Sequence, residues 1–157
     1  MAKVKGMTAK IEDWLAGLLA ALTDADGDAV FKTAEAWSHQ LESGVESFSQ
    51  FDPFAFVSHW PGDAAREGDY DLNDRLRYSV LIGVESKSAG IARRGDDNHL
   101  GASRIRDLVI AAIEGQHPGS GFTCDDFYYS GETELVDSPK RYATELHFEA
   151  NWLRTDG

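Results

Sequence analysis

The stretch Arg75-Leu76-Arg77-Tyr78-Ser79-Val80-Leu81-Ile82-Gly83-Val84-Glu85 decides the fold class of this chain. Successive side chains of an extended strand point to opposite faces. Leu76, Tyr78, Val80, Ile82 and Val84 therefore share one face, and Arg75, Arg77, Ser79, Leu81, Gly83 and Glu85 share the other. A second alternation runs from Arg141 to Leu153, with Tyr142, Leu146, Phe148, Ala150 and Trp152 opposite Arg141, Glu145, His147, Glu149 and Asn151. A strand from Phe127 to Val136 leads into it through the turn Asp137-Ser138-Pro139. Upstream, Phe54-Ala55-Phe56-Val57-Ser58-His59-Trp60 reads as a buried strand, opened by Pro53 and closed by Pro61-Gly62.

Helical spacing frames these strands. Ile11, Trp14, Leu15, Leu18, Leu19 and Leu22 recur in steps of three and four, with Thr8 as the expected N-cap. Ile105, Leu108, Val109, Ala112 and Ile113 form a second stripe over 101–114, stopped by Gly115. Ser38 to Phe48 reads as a third helix through Leu41, Val45 and Phe48, weakened by Gly44. A short strand is expected within Val30–Lys32 and Ala34–Trp37, a loop over Pro61–Asp74, and a polar connection over Ser86–Leu100. The order predicts an α+β fold: a mixed, mainly antiparallel sheet of four to five strands flanked by two to three helices. A length of 157 residues points to a single domain over 1–157.

Charge narrows the function classes. Lys and Arg number 15 against 27 Asp and Glu, a formal charge of −12. The acid is spread evenly, with 7 basic and 14 acidic groups in residues 1–80 and 8 and 13 in the rest. Such a field repels phosphates, which argues against binding DNA through the general surface. A lone cysteine, Cys124, excludes an internal disulfide framework and fits a reducing compartment. No apolar run approaches the ~20 residues of a membrane span. Met1-Ala2-Lys3-Val4-Lys5 has no signal-peptide core behind it, so a soluble cytosolic protein is expected.

The chemical motifs are weak. Counting Asp24 as position one of a calcium loop puts Glu35 at position twelve, but Ala29 stands where the turn needs glycine and Lys32 at position nine. The five histidines (39, 59, 99, 117 and 147) include no pair at helical ligand spacing, so no metal is expected. His59 reads as a core residue and His147 as an exposed one. Cys124 has His117 or His147 as conceivable bases but no nucleophile signature. Pro118-Gly119-Ser120-Gly121 lacks the leading glycine of a nucleophile elbow. Gly90-Ile91-Ala92-Arg93-Arg94-Gly95 lacks the Lys-Ser/Thr that completes a phosphate loop. No cofactor is implied and no enzyme is expected. One window departs from the acidic background: Arg93, Arg94, Arg104 and Arg106 stand against only Asp96 and Asp97, a contact surface for an acidic partner such as another copy of the chain.

Several segments in sequence carry a family resemblance. They are Ala92-Arg93-Arg94-Gly95, Gly101-Ala102, Ile105-Arg106-Asp107-Leu108-Val109, Gly131-Glu132-Thr133-Glu134-Leu135-Val136 and Tyr142 to Trp152. Their order and spacing resemble the tail-terminator family of Mu-like phages and prophages, related in fold to the lambda minor tail protein U. The resemblance implies a structural protein of the virion tail or neck, assembled in the bacterial cytoplasm. Copies of such a protein form a ring, usually of six, on the end of the tail tube. There the ring stops polymerisation and offers a surface to the head–tail connector. DNA only passes through its bore, and no membrane is involved. The Ser86–Leu100 connection then supplies contacts, with Arg93, Arg94, Arg104 and Arg106 as candidate inter-subunit or tube-contacting residues. Two alternatives stand beside this one: another neck or head-completion protein, and a non-phage acidic α+β binding module such as an inhibitor or chaperone.

Overall fold

The computed structural model describes residues 6–41, 45–60, 73–86 and 90–153. In chain order the elements are α1 (Met7–Ala20), β1 (Thr33–Ala36), α2 (Val45–Phe51), β2 (Phe54–Trp60), β3 (Asn73–Glu85), α3 (Ile91–Arg94), α4 (Ala102–Ile113), β4 (Tyr128–Asp137) and β5 (Arg141–Leu153). The strands form one five-stranded sheet in the order β1-β2-β3-β5-β4. β1 and β2 run parallel, and every other neighbouring pair is antiparallel. This is the α+β class with the mixed, mainly antiparallel sheet that the alternation predicts.

Register explains why β3 and β5 sit at the centre. Tyr78 pairs with Phe148, Val80 with Leu146 and Leu76 with Ala150, so the apolar sides of the two alternations coincide on one face. A one-residue slip of either strand puts the two apolar sets on opposite faces of the sheet. Onto that first face α1 places Ile11, Leu15 and Leu19, and α4 places Ile105, Val109 and Ile113. All six are essentially inaccessible to water. Burying each such side chain contributes about 1.5–3 kcal/mol. Tyr78, also fully buried, donates its hydroxyl to the Thr8 carbonyl at 3.1 Å, which satisfies the polar end of a core ring. Burial raises the pKa of that phenol.

The second face is covered at one end only. A parallel β1–β2 pair needs a crossover, and α2 lies on it. Phe48 of α2 meets Phe54 with ring centroids 5.0 Å apart, and Phe51 meets Phe56 at 5.7 Å. Trp37, just after β1, packs against Phe56 with ring centroids 5.6 Å apart and the planes tilted. The ring of Phe54 lies where a Cβ at Gly83 would stand, so glycine is required there to let the ring cross β3. Beyond Phe56 the second face carries no helix among the described residues.

Several boundaries differ from expectation. α1 starts at Met7 with Gly6 as its N-cap, because the Lys10 N–H already closes a helical turn on the Gly6 carbonyl at 3.0 Å; Thr8 is inside the helix and caps nothing. The third expected helix shifts towards its C-terminus. Ser38–Leu41 instead form turns, held by the Ser38 N–H donating to Gln40 Oε1 and by Gln40 Nε2 donating to the Ala36 carbonyl at 2.8 Å. Helix α2 continues past Phe48 to Phe51, whose ring has Phe56 to pack on. Residues 42–44, and most of the loop expected over 61–74, lie outside the described residues; Asn73 and Asp74 belong to β3. The Ser86–Leu100 connection contains the four-residue α3, between Gly90 and Gly95, both at positive φ.

Candidate functional site on the open sheet face

The part of the second face that no described element covers carries a cluster of aromatic and polar side chains. Ser58 and Trp60 of β2 share it with Arg77, Ser79 and Leu81 of β3, and with Glu145, His147 and Glu149 of β5. A depression of about 400 Å³ opens here. Its floor is Phe56 and Leu81, its aromatic walls are Trp37 and Trp60, and its polar groups include Ser58, Ser79 and Glu145. Trp60 is 50% exposed, the largest apolar side chain left so open among the described residues. Its indole lies 5.5 Å from the His147 imidazole, across the intervening β3.

Three hydroxyl and carboxylate groups fix His147. Ser79 Oγ is 3.3 Å from Nδ1, Thr133 Oγ1 is 3.2 Å from Nε2, and Glu145 Oε1 is 3.7 Å from Nδ1. His147 is therefore half-buried and bonded at both nitrogens, which corrects its reading as a simply exposed residue; strand pairing on both sides of β5 brings those partners in. Next along the strand, Glu149 is neutralised: it takes Arg77 Nε at 2.8 Å and accepts the Tyr128 hydroxyl at 2.9 Å. Glu145 has no arginine or lysine within ion-pair reach among the described residues. The depression thus holds a carboxylate whose ion-pair contact among the described residues is the His147 imidazole, in a lining that also includes two indoles.

A hydroxyl, an imidazole and a carboxylate in contact invite comparison with a nucleophilic triad, which needs the hydroxyl and the acid on opposite ring nitrogens. Ser79 and Glu145 face the same nitrogen. Thr133 does face the other, from mid-strand on the edge strand β4, where it is paired with Glu145 itself. The arrangement is suited to orienting side chains around a groove. His59 points to the first face, where its ring packs at a tilt against Tyr78, centroids 5.1 Å apart, and burial lowers its pKa.

The residues singled out in sequence are dispersed. Arg93 pairs with Asp137 at 3.7 Å. Arg106 is engaged within the chain: its Nε donates to Glu132 at 2.8 Å, and its guanidinium lies 5.5 Å from the Tyr129 ring centroid. Arg94 and Arg104 have no carboxylate within ion-pair reach among the described residues. Asp24, Asp26 and Asp28 gather their carboxylates within 4.8 Å of one another. Glu35, the twelfth position of the loop reading, instead sits on β1 and accepts a hydrogen bond from Gln40. Cys124 is buried, and desolvation with Asp125 and Asp126 nearby pushes its thiol pKa up, the reverse of an activated nucleophile. His117 does not serve it as a base; its Nε2 meets the Cys124 carbonyl at 2.8 Å.

Sequence reasoning missed Trp37, Trp60 and Glu145. The available signal was parity: Trp60 and Ser58 fall on the same side of β2 as Phe56, and Glu145 on the same side of β5 as His147. What parity leaves open is where α2 stops.

No family model matches this chain. It is similar to the urease accessory protein UreF of Methylorubrum populi, with 31% identity over 97 residues, covering 60% of this chain and 43% of that protein. The match thus spans less than half the length of the relative. This finding corrects the expectation of a phage tail terminator, since the similarity is to a protein of a different function. The segments that carry the phage resemblance are short and degenerate, and their order follows the element order of an α+β fold, which fold alone can produce.

Proposed function

We propose that this protein is a non-catalytic accessory module that docks a partner protein in the groove of the open sheet face, accepting a basic side chain of an extended segment between Trp37 and Trp60. The observation that carries this reading is one depression of about 400 Å³ lined by both a half-exposed Trp60 and the Glu145 carboxylate, which no arginine or lysine among the described residues reaches. A guanidinium or ammonium fits both: the indole faces attract a cation, and the carboxylate pairs with it. The overall charge of −12 favours approach of such a partner. Similarity to a urease accessory protein supports an accessory role over a catalytic one.

Titration with capped tripeptides bearing arginine, lysine, leucine or glutamate at the centre tests the reading. Tryptophan fluorescence should report saturable binding of the arginine and lysine peptides, with Kd on the order of 1 mM for so small a ligand. Trp60→Ala should abolish it. Equal binding of the glutamate peptide, or none by any peptide, contradicts the proposal.

A further inference from the structure

A second surface, on α3 and the start of α4, carries charge that the chain leaves unanswered. Arg93, Arg94 and Ser103 line a depression of about 460 Å³. Arg94 and Arg104 have no acidic partner among the described residues, in a chain that carries 27 acids. The loop after α1 shows the converse. Asp24, Asp26 and Asp28 bring carboxylate oxygens within 4.8 Å of one another, and no Lys or Arg among the described residues forms an ion pair with any of them. Asp24 is occupied locally, its Oδ1 accepting the N–H groups of Asp26 at 2.9 Å and Asp28 at 3.0 Å. Asp26 and Asp28 are exposed.

The two clusters stand at the same end of the molecule. Asp24 lines one cavity with Ile91, the first residue of α3, and with Val84 and Glu85 at the end of β3. Adjacent patches of opposite sign form a self-complementary surface: across a two-fold axis, each basic patch faces the other copy's acidic loop. We propose that Arg94 and Arg104 dock on the Asp24–Asp28 loop of a second copy of this chain, giving a two-fold dimer. The inference is independent of the sheet groove, which lies on a different surface.

Charge exchange tests it. Each reversal shifts the formal charge by two, so Arg94→Glu with Arg104→Glu takes −12 to −16, and Asp26→Lys with Asp28→Lys takes −12 to −8. Sedimentation equilibrium of the full chain over a range of concentrations should show a dimer for wild type. Each double variant should dissociate, its dimer constant weakened at least about tenfold. An equimolar mixture of the two should recover the dimer, because both reciprocal contacts regain opposite signs. Self-association governed by net charge alone predicts the reverse for the lysine variant, which carries less charge and should associate more tightly than wild type. That result overturns the proposal, as does a monomeric wild type or a mixture that stays monomeric. Circular dichroism checks folding, and Asp26→Asn with Asp28→Asn, which weakens without reversing, replaces the lysine variant if that one misfolds.

Discussion

The Trp60 indole and the His147 imidazole stand 5.5 Å apart although their strands are not neighbours. Trp60 pairs across β2–β3 with Arg77, and His147 pairs across β3–β5 with Ser79, so the indole leans over β3 to reach the imidazole. Ser79 and Thr133 hold that imidazole in turn. One wall of the groove is therefore positioned by side chains from three other strands. A wall held in place loses less conformational entropy on binding.

His147→Ala removes the support and leaves Trp60 chemically intact. We expect the arginine tripeptide to bind roughly three- to tenfold more weakly, about 1 kcal/mol, with little loss of fold stability. Calorimetric titration checks the first part and urea unfolding the second. Unchanged affinity would show that Trp60 needs no support.

Glu145→Gln keeps the shape of the groove and deletes its charge. Binding of arginine and lysine peptides should fall about tenfold, near 1.4 kcal/mol, while any leucine-peptide binding stays constant. A uniform fall for all peptides would instead indicate a distorted groove.

Gly83→Ala places a methyl group where the Phe54 ring lies. Overpacking of this kind costs about 1–3 kcal/mol. Urea denaturation should show that loss, and adding Phe54→Leu should recover part of it. If Gly83→Ala is neutral, α2 and its phenylalanines shift more freely than their tight ring contacts indicate.

Asp52 gives a pH signature. Its carboxylate accepts the Glu85 N–H, and burial raises its pKa to about 6. An acid whose folded pKa is raised holds its proton more tightly when folded, so its contribution to stability is full below the unfolded value and is lost as pH rises to about 6. Asp52→Asn keeps the acceptor oxygen and removes the ionisation. Half-exposure tempers the effect to on the order of 1 kcal/mol. The variant should gain on wild type between about pH 4 and pH 7 in parallel urea titrations, the gain appearing as Asp52 ionises. A gap that does not change with pH would place the Asp52 titration elsewhere.

The central strands were legible because their alternation is long: thirteen residues each in β3 and β5 fix both face and register. The stripes of α1 and α4 were legible for the same reason, since helical spacing marks a buried face. Two features were not. β1 has only four residues, and its parallel partnership with β2 depends on the α2 crossover, which leaves no local mark. The openness of the groove depends on α2 covering Phe54 and Phe56 but not Ser58 and Trp60, and an apolar run reads the same under a helix as beside one. Arg106 shows the same limit in charge: it lies in a basic window, yet Glu132, twenty-six positions on, claims it.

The groove is tested most directly by following the indole N–H resonances of Trp37 and Trp60 while adding the arginine tripeptide to the full chain. The account predicts that both shift together and saturate together, that Trp14 and Trp152 stay still, and that the glutamate tripeptide moves none of them. Movement of Trp14 or Trp152 alone, or a response to both peptides alike, would contradict a cation-accepting groove on the open sheet face.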